Sequence, residues 1–167
     1  MPKQTRRIAV FAVSRLPVSR WATRGYAPSA ARDVVPDLPS GTRTTPPGDV
    51  ETWYLGPAEV LLHSGETAHH RDNLGSARPS VWVALRPAVH PAPPELVGAT
   101  VDPYEGEAWA TDESLLVGVV DMPPALAAEL AAFFAAHHVE RPFEKRQRKR
   151  VDPEALGRRG PAGGGPR

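Results

Sequence analysis

Residues 61–86, LLHSGETAHHRDNLGSARPSVWVALR, join two strand-like apolar runs through a polar segment holding three histidines, two acids and two arginines. The downstream run, Ser80–Arg86, alternates Val81, Val83 and Leu85 with Trp82 and Ala84. A period of two is the pattern of a strand whose two faces meet different surroundings. The upstream run, Glu59–His63, ends at His63. Two such runs around a polar crossing point to a sheet protein. They also single out the 63–78 loop, because loops held by rigid strands carry function disproportionately.

The rest of the chain extends this pattern outward. Val50–Leu55 and Glu59–His63, separated by Gly56-Pro57, read as a hairpin. Arg6–Leu16 is a strand with Ile8, Val10 and Ala12 on one face and Phe11 and Val13 on the other, ended by Pro17. A short strand is expected near Ala31–Val35, and residues 36–49, PDLPSGTRTTPPGD, form a long exposed loop. Leu96–Val101 and Leu115–Val120 are two further strands around a polar excursion containing Tyr104 and Trp109. Twenty prolines and fourteen glycines punctuate the chain too often for long helices in its first half.

One helix stands out in PPALAAELAAFFAAHH, which is rich in Ala and Leu. Asp121 is expected near its N-cap, Pro123 and Pro124 in its first turn and Pro142 at its end. Leu126, Leu130, Phe133, Phe134 and His137 form its expected buried stripe. The expected fold class is therefore α+β, mainly β. It is a curled antiparallel sheet, a half-barrel or sandwich, of about seven strands with one C-terminal helix over an open end. By element order this resembles pleckstrin-homology-like domains. Residues 1–142 are expected to form a single globular domain. Residues 143–167 are expected to be a disordered, basic, Gly/Pro-rich tail.

Composition narrows the possible functions. The 167-residue chain has no cysteine, which excludes disulfides, thiolate nucleophiles and Cys-ligated metals, and which suits a cytoplasmic location. No apolar run reaches the roughly 20 residues needed to span a bilayer. The formal charge of +1 conceals an asymmetry. Residues 1–138 carry 11 Lys and Arg against 15 Asp and Glu, whereas 139–167 carry 9 against 4. A basic tail on an acidic body suits an intermolecular role for the tail.

Three constellations could carry chemistry. His63, Glu66, His69, His70 and Asp72 have metal-ligand chemistry, and His137-His138 could join them only if the helix end lies nearby. There is no HExxH, however, and the alternative is a polar loop that bonds itself. Ser64 beside His63 lacks a GxSxG elbow, and neither phosphate-binding glycine fingerprint is present, so no catalytic residue is assigned. His69, His70, Arg71, Asn73 and Arg78 form a candidate partner-binding loop, since arginines flanking a turn can grip carboxylates bidentately. The structural alternative pairs Arg71 and Arg78 with Glu66 and Asp72 inside that loop. The tail cluster Lys145, Arg146, Arg148, Lys149 and Arg150 could engage an acidic protein face, anionic lipid or nucleic acid.

The segments VSRLPVSRWA, LHSGETAHHRDNL, RPSVWVALRP, VDMPPALAAELAAFFAAHHVE and RPFEKRQRKR, within residues 6–150, resemble a bacterial family of uncharacterised domains. Its members are encoded beside molybdenum-dependent formate dehydrogenase genes and are often labelled molybdopterin-guanine dinucleotide biosynthesis proteins. The guanylyltransferase that builds that cofactor opens with a Gly-rich loop after its first strand. Here Ile8–Val13 runs into SRLPVSRW, with no glycine before Gly25. The resemblance therefore implies a non-catalytic accessory factor for formate dehydrogenase assembly or cofactor insertion, with no cofactor of its own. Its partner would be a formate dehydrogenase subunit or maturation factor. The alternatives are a small-ligand or metal-binding domain using the 63–78 loop, and a nucleic-acid binder using the tail.

Overall fold

A computed structural model describes residues 1–139. The expected boundary at 142, Pro142 and the tail cations Lys145, Arg146, Arg148, Lys149 and Arg150 lie outside the described residues. The fold is mainly β, with seven strands, and its two antiparallel sheets do not close on each other. The first sheet has the order β2-β1-β4-β3, from Gly25–Arg32, Lys3–Arg15, Val50–His63 and Thr42–Arg43. The second has the order β6-β5-β7, from Glu95–Thr100, Ser80–Arg86 and Leu116–Asp121. Among the described residues three α-helices complete it: α1 (Thr67–Leu74), α2 (Pro103–Ala110) and α3 (Pro124–His137). No helix among the described residues is long and apolar enough to cross a membrane.

The core lies between the facing sheet surfaces. Ile8, Val10 and Ala12 of β1 meet Val60 and Leu62 of β4, and Val81, Val83 and Leu85 of β5 close over them. Leu126, Leu130 and Phe133 of α3 join the same cluster, so this helix packs into one end of the sandwich. Phe134 and His137, expected on that buried stripe, are only half-buried. The apolar arc is narrower than the spacing suggested, and Phe133 anchors the helix.

The expected hairpin at Gly56-Pro57 is instead one fourteen-residue strand, β4. Val10 pairs with Gly56 and Phe11 with Tyr54, leaving Leu55 as an extra residue. Inward positions accordingly shift parity, from Trp53 and Leu55 to Ala58, Val60 and Leu62. This is a β-bulge, which bends a strand without ending it. Gly56 has φ +132°, and a Cβ there would collide with Ser40.

Three further expectations are corrected. β2 starts at Gly25, earlier than the expected Ala31, because an outer strand tolerates Pro28, and Ser29 is bulged out between Pro28 and Ala30. The 63–78 segment and the 102–111 excursion each contain a helix, so α3 is one of three α-helices among the described residues. Asp121 does not cap α3: Asp33 does, accepting the N–H groups of Ala125 at 2.9 Å and Leu126 at 3.1 Å. Its partner Arg6 also reaches Glu129 on the same helix, tying β1 to α3.

Candidate functional site

α1 grows directly out of β4. The His63 Nδ1 accepts the Gly65 N–H at 3.0 Å and starts a 3₁₀ turn, Ser64–Glu66, that runs into the helix. Gly75 closes it by donating to the Arg71 carbonyl at 2.8 Å. The buried residues of α1 are Thr67, His70 and Asn73, three apart in sequence and all polar. Its inward face therefore carries hydrogen-bonding groups in place of an apolar stripe.

The candidate residues divide according to that face. The Asn73 amide donates to the carbonyls of Ser80 at 2.8 Å and Val101 at 2.7 Å, and accepts the Ser80 N–H at 2.9 Å. It cross-links α1 to β5 and to the end of β6 and offers nothing to a partner. His70 is fully buried, edge-on to Phe133. Burial pushes its pKa below the ordinary value, so the ring is neutral at pH 7.

His69 sits at the outer edge, where Nδ1 donates to Asp102 Oδ2 at 2.7 Å. Its ring lies 4.4 Å from that of Tyr104, whose hydroxyl donates to Asp72 at 3.0 Å. That bond to a carboxylate raises the Tyr104 pKa. Asp102 also caps α2, accepting the Tyr104 N–H at 2.9 Å. His69 thus braces α1 against α2.

The two arginines part company. Arg71 is exposed, with Nε 3.6 Å from Asp72 Oδ1, as the intra-loop alternative expected. Arg78 instead pairs through Nε and Nη2 with Asp121 at the end of β7. That pairing lowers the Asp121 pKa. Among the described residues, no three His, Asp or Glu side chains stand together as a metal-ligand group. His63, Glu66, His69 and His70 therefore do not converge: two are committed to hydrogen bonds and one to the core.

The fold does bring the end of α3 to this loop. An open cleft of about 910 Å³ lies between α1 and α3, walled by Ser64, Thr67, Arg71, His137, His138 and Val139. His138 stacks on Phe134 at 4.4 Å, and its Nδ1 pairs with Thr67 Oγ1 at 3.1 Å. His137 lies edge-on to Phe133 at 4.6 Å. Hydroxyls, imidazoles and one guanidinium around a concave wall can accept a carboxylate-bearing partner.

A second polar cluster was missed from the sequence. Glu51 is only 3% exposed, at the far end of the core. His90 Nε2 donates to it at 2.9 Å, and Arg24 and Arg43 each approach to 3.6 Å. The His90 bond leads the causes that hold the Glu51 carboxyl below its usual range, with the Gly48 N–H and both guanidinia adding to it against burial. Its signal was alternation: Glu51 shares the inward face with Trp53 and Leu55.

No curated protein and no solved structure matches this chain. The family model described as "Protein of unknown function (DUF3305)" matches residues 7–147, and the chain belongs to that family.

Proposed function

We propose that this protein is a non-catalytic accessory factor for formate dehydrogenase assembly or cofactor insertion, acting in the cytoplasm by binding a protein partner. The process comes from the sequence resemblance of residues 6–150. The mode of action rests on one observation: the α1–α3 cleft gathers Arg71, His137 and His138 from two elements onto one open surface. Val139 lines the rim, and the run Lys145–Arg150 follows six residues later in the sequence. A partner docked there with acidic side chains meets Arg71 in the cleft, and the basic run that follows in the sequence supplies further cations. Exposed charge of that kind governs association rate and salt sensitivity more than it governs affinity.

The test is capture of the formate dehydrogenase by the full-length protein, with maturation measured in cells lacking the native gene. Arg71→Ala with His138→Ala should weaken capture at all salt concentrations, whereas neutralising the five tail cations should weaken it mainly at low salt. Full complementation by the cleft double variant, with folding intact, would remove the cleft from the interface.

A small ligand in the same cleft is the second reading, favoured by a volume within the roughly 300–1,000 Å³ of ligand pockets. Small-molecule retention through native purification, lost in the cleft variant without loss of enzyme capture, would select it.

A further inference from the structure

The β1–β2 connection leaves the molecule at the end opposite the α1–α3 cleft. The cleft includes Pro2, just before β1, and the connection follows Arg15 at its end, about 40 Å further along thirteen strand residues. At this tip Leu16, Val18 and Trp21 are 56%, 107% and 83% exposed. Single exposed apolar side chains are ordinary, but three within six positions concentrate apolar surface on one loop.

The base of the tip is well held. The Leu16 N–H donates to the Asp49 carbonyl at 2.7 Å, and Arg24 Nε donates to the buried Ser14 hydroxyl at 2.9 Å. Arg24 also faces Glu51. At the apex Ser19 organises its own turn, accepting from the Ala22 N–H at 3.1 Å. The Arg20 guanidinium lies 4.8 Å over the Trp21 ring. Two acids of the neighbouring strand region, Asp49 and Glu51, stand at the base, Glu51 facing Arg24, whereas the segment itself is basic. Residues 1–32 contain seven Lys and Arg and no Asp or Glu, and Arg15, Arg20 and Arg24 flank the three apolar residues.

We infer that this tip is a peripheral contact for an anionic lipid surface. Leu16, Val18 and Trp21 enter the boundary between headgroups and acyl chains, and Arg15 and Arg20 meet lipid phosphates behind them. A side chain as clear of the protein as Val18 needs either a fitted pocket or a surface that deforms around it, and a bilayer interface deforms. Tryptophan prefers that depth because its ring is apolar and its N–H polar, and arginine stems lie along apolar surface while their heads stay at the phosphates. One short loop gives weak, reversible attachment, strengthened by each cation near an anionic surface.

The test uses the full-length protein with vesicles of phosphatidylglycerol and phosphatidylcholine in equal amounts, against phosphatidylcholine alone. Lipids brominated on the acyl chain report insertion by quenching Trp21, read as the difference between the native protein and Trp21→Phe. Quenching is expected only with the anionic vesicles, falling as salt rises. It should persist when the five cations of residues 145–150 are replaced by Gln, and drop roughly tenfold or more in Val18→Asp or in Arg15→Gln with Arg20→Gln. Circular dichroism should be unchanged in every variant. Sedimentation with vesicles without Trp21 quenching, or quenching indifferent to Val18→Asp, would overturn the inference. So would Trp21-dependent capture of purified formate dehydrogenase without vesicle binding, which would make the tip a protein contact.

Discussion

The Asp33 carboxylate accepts the backbone N–H of Ala125 at 2.9 Å, capping a helix that begins ninety-one residues later in the sequence. Pro123, at the N-cap position itself, has no side-chain acceptor to offer. Asp33 therefore does the work of a local Ser or Asp, and its ion pair with Arg6 fixes it in place. Asp33→Ala should destabilise the fold by about 1–2 kcal/mol, as losing an N-cap does. Asp33→Asn should recover part of that, both measured by urea unfolding.

Asn73 is a stronger case. Its removal strands the Ser80 N–H and the carbonyls of Ser80 and Val101 in a buried place. Asn73→Ala should cost roughly 2–4 kcal/mol, because unsatisfied buried groups carry their full desolvation penalty. Asn73→Asp should be at least as damaging, since it sets a carboxylate against two carbonyls. If both variants keep native stability and lose only partner binding, the amide is a contact residue.

Phe133 and Phe134 separate the anchoring face of α3 from its flank. Phe133 is buried in the core cluster, whereas Phe134 is half-buried and stacked on His138. Phe133→Ala should cost roughly 3–5 kcal/mol. Phe134→Ala should cost less than half as much and disturb the cleft wall. Equal losses in thermal melts would refute this assignment of faces.

Stability should fall in two steps on acidification. Burial lowers the His70 pKa in the folded state, so below the ordinary 6.5 the unfolded chain binds a proton that the folded one resists. The stability from neutral His70 is complete above that value and declines as pH falls toward the folded pKa. Glu51, held low chiefly by His90, keeps its contribution above the ordinary 4.5 and loses it as pH falls through its own depressed pKa. His70→Phe should flatten the upper step alone and Glu51→Gln the lower alone, in denaturation midpoints followed against pH.

Much of the architecture was legible in the chain itself. Period-two alternation marked β1 and β5 to within a few residues, because one face of each lies in the core, and short apolar runs bounded by polar segments marked β6 and β7. The α3 segment declared itself through its Ala and Leu content and its prolines. α2 also carried a readable signal in Asp102-Pro103, an N-cap residue before a proline at the first helical position. α1 carried none: its inward face is Thr67, His70 and Asn73, whose partners are chosen by tertiary contact.

The candidate site shows the same division. The sequence by itself determined that polar chemistry is concentrated between β4 and β5, and that His137 and His138 end the last described helix. Only the tertiary structure decided which of those groups remain open. It turned Asn73 and His70 inward, gave His69 to Asp102 and Arg78 to Asp121, and set Arg71 beside the end of α3. Gly56 likewise reads locally as a turn and is a bulge, because β1 offers a continuous ladder along both sides of it. Periodicity reports which face of an element is buried. It cannot report which groups, thirty to ninety residues away, will meet that face, and a polar side chain becomes a brace or a binding group according to whether they do.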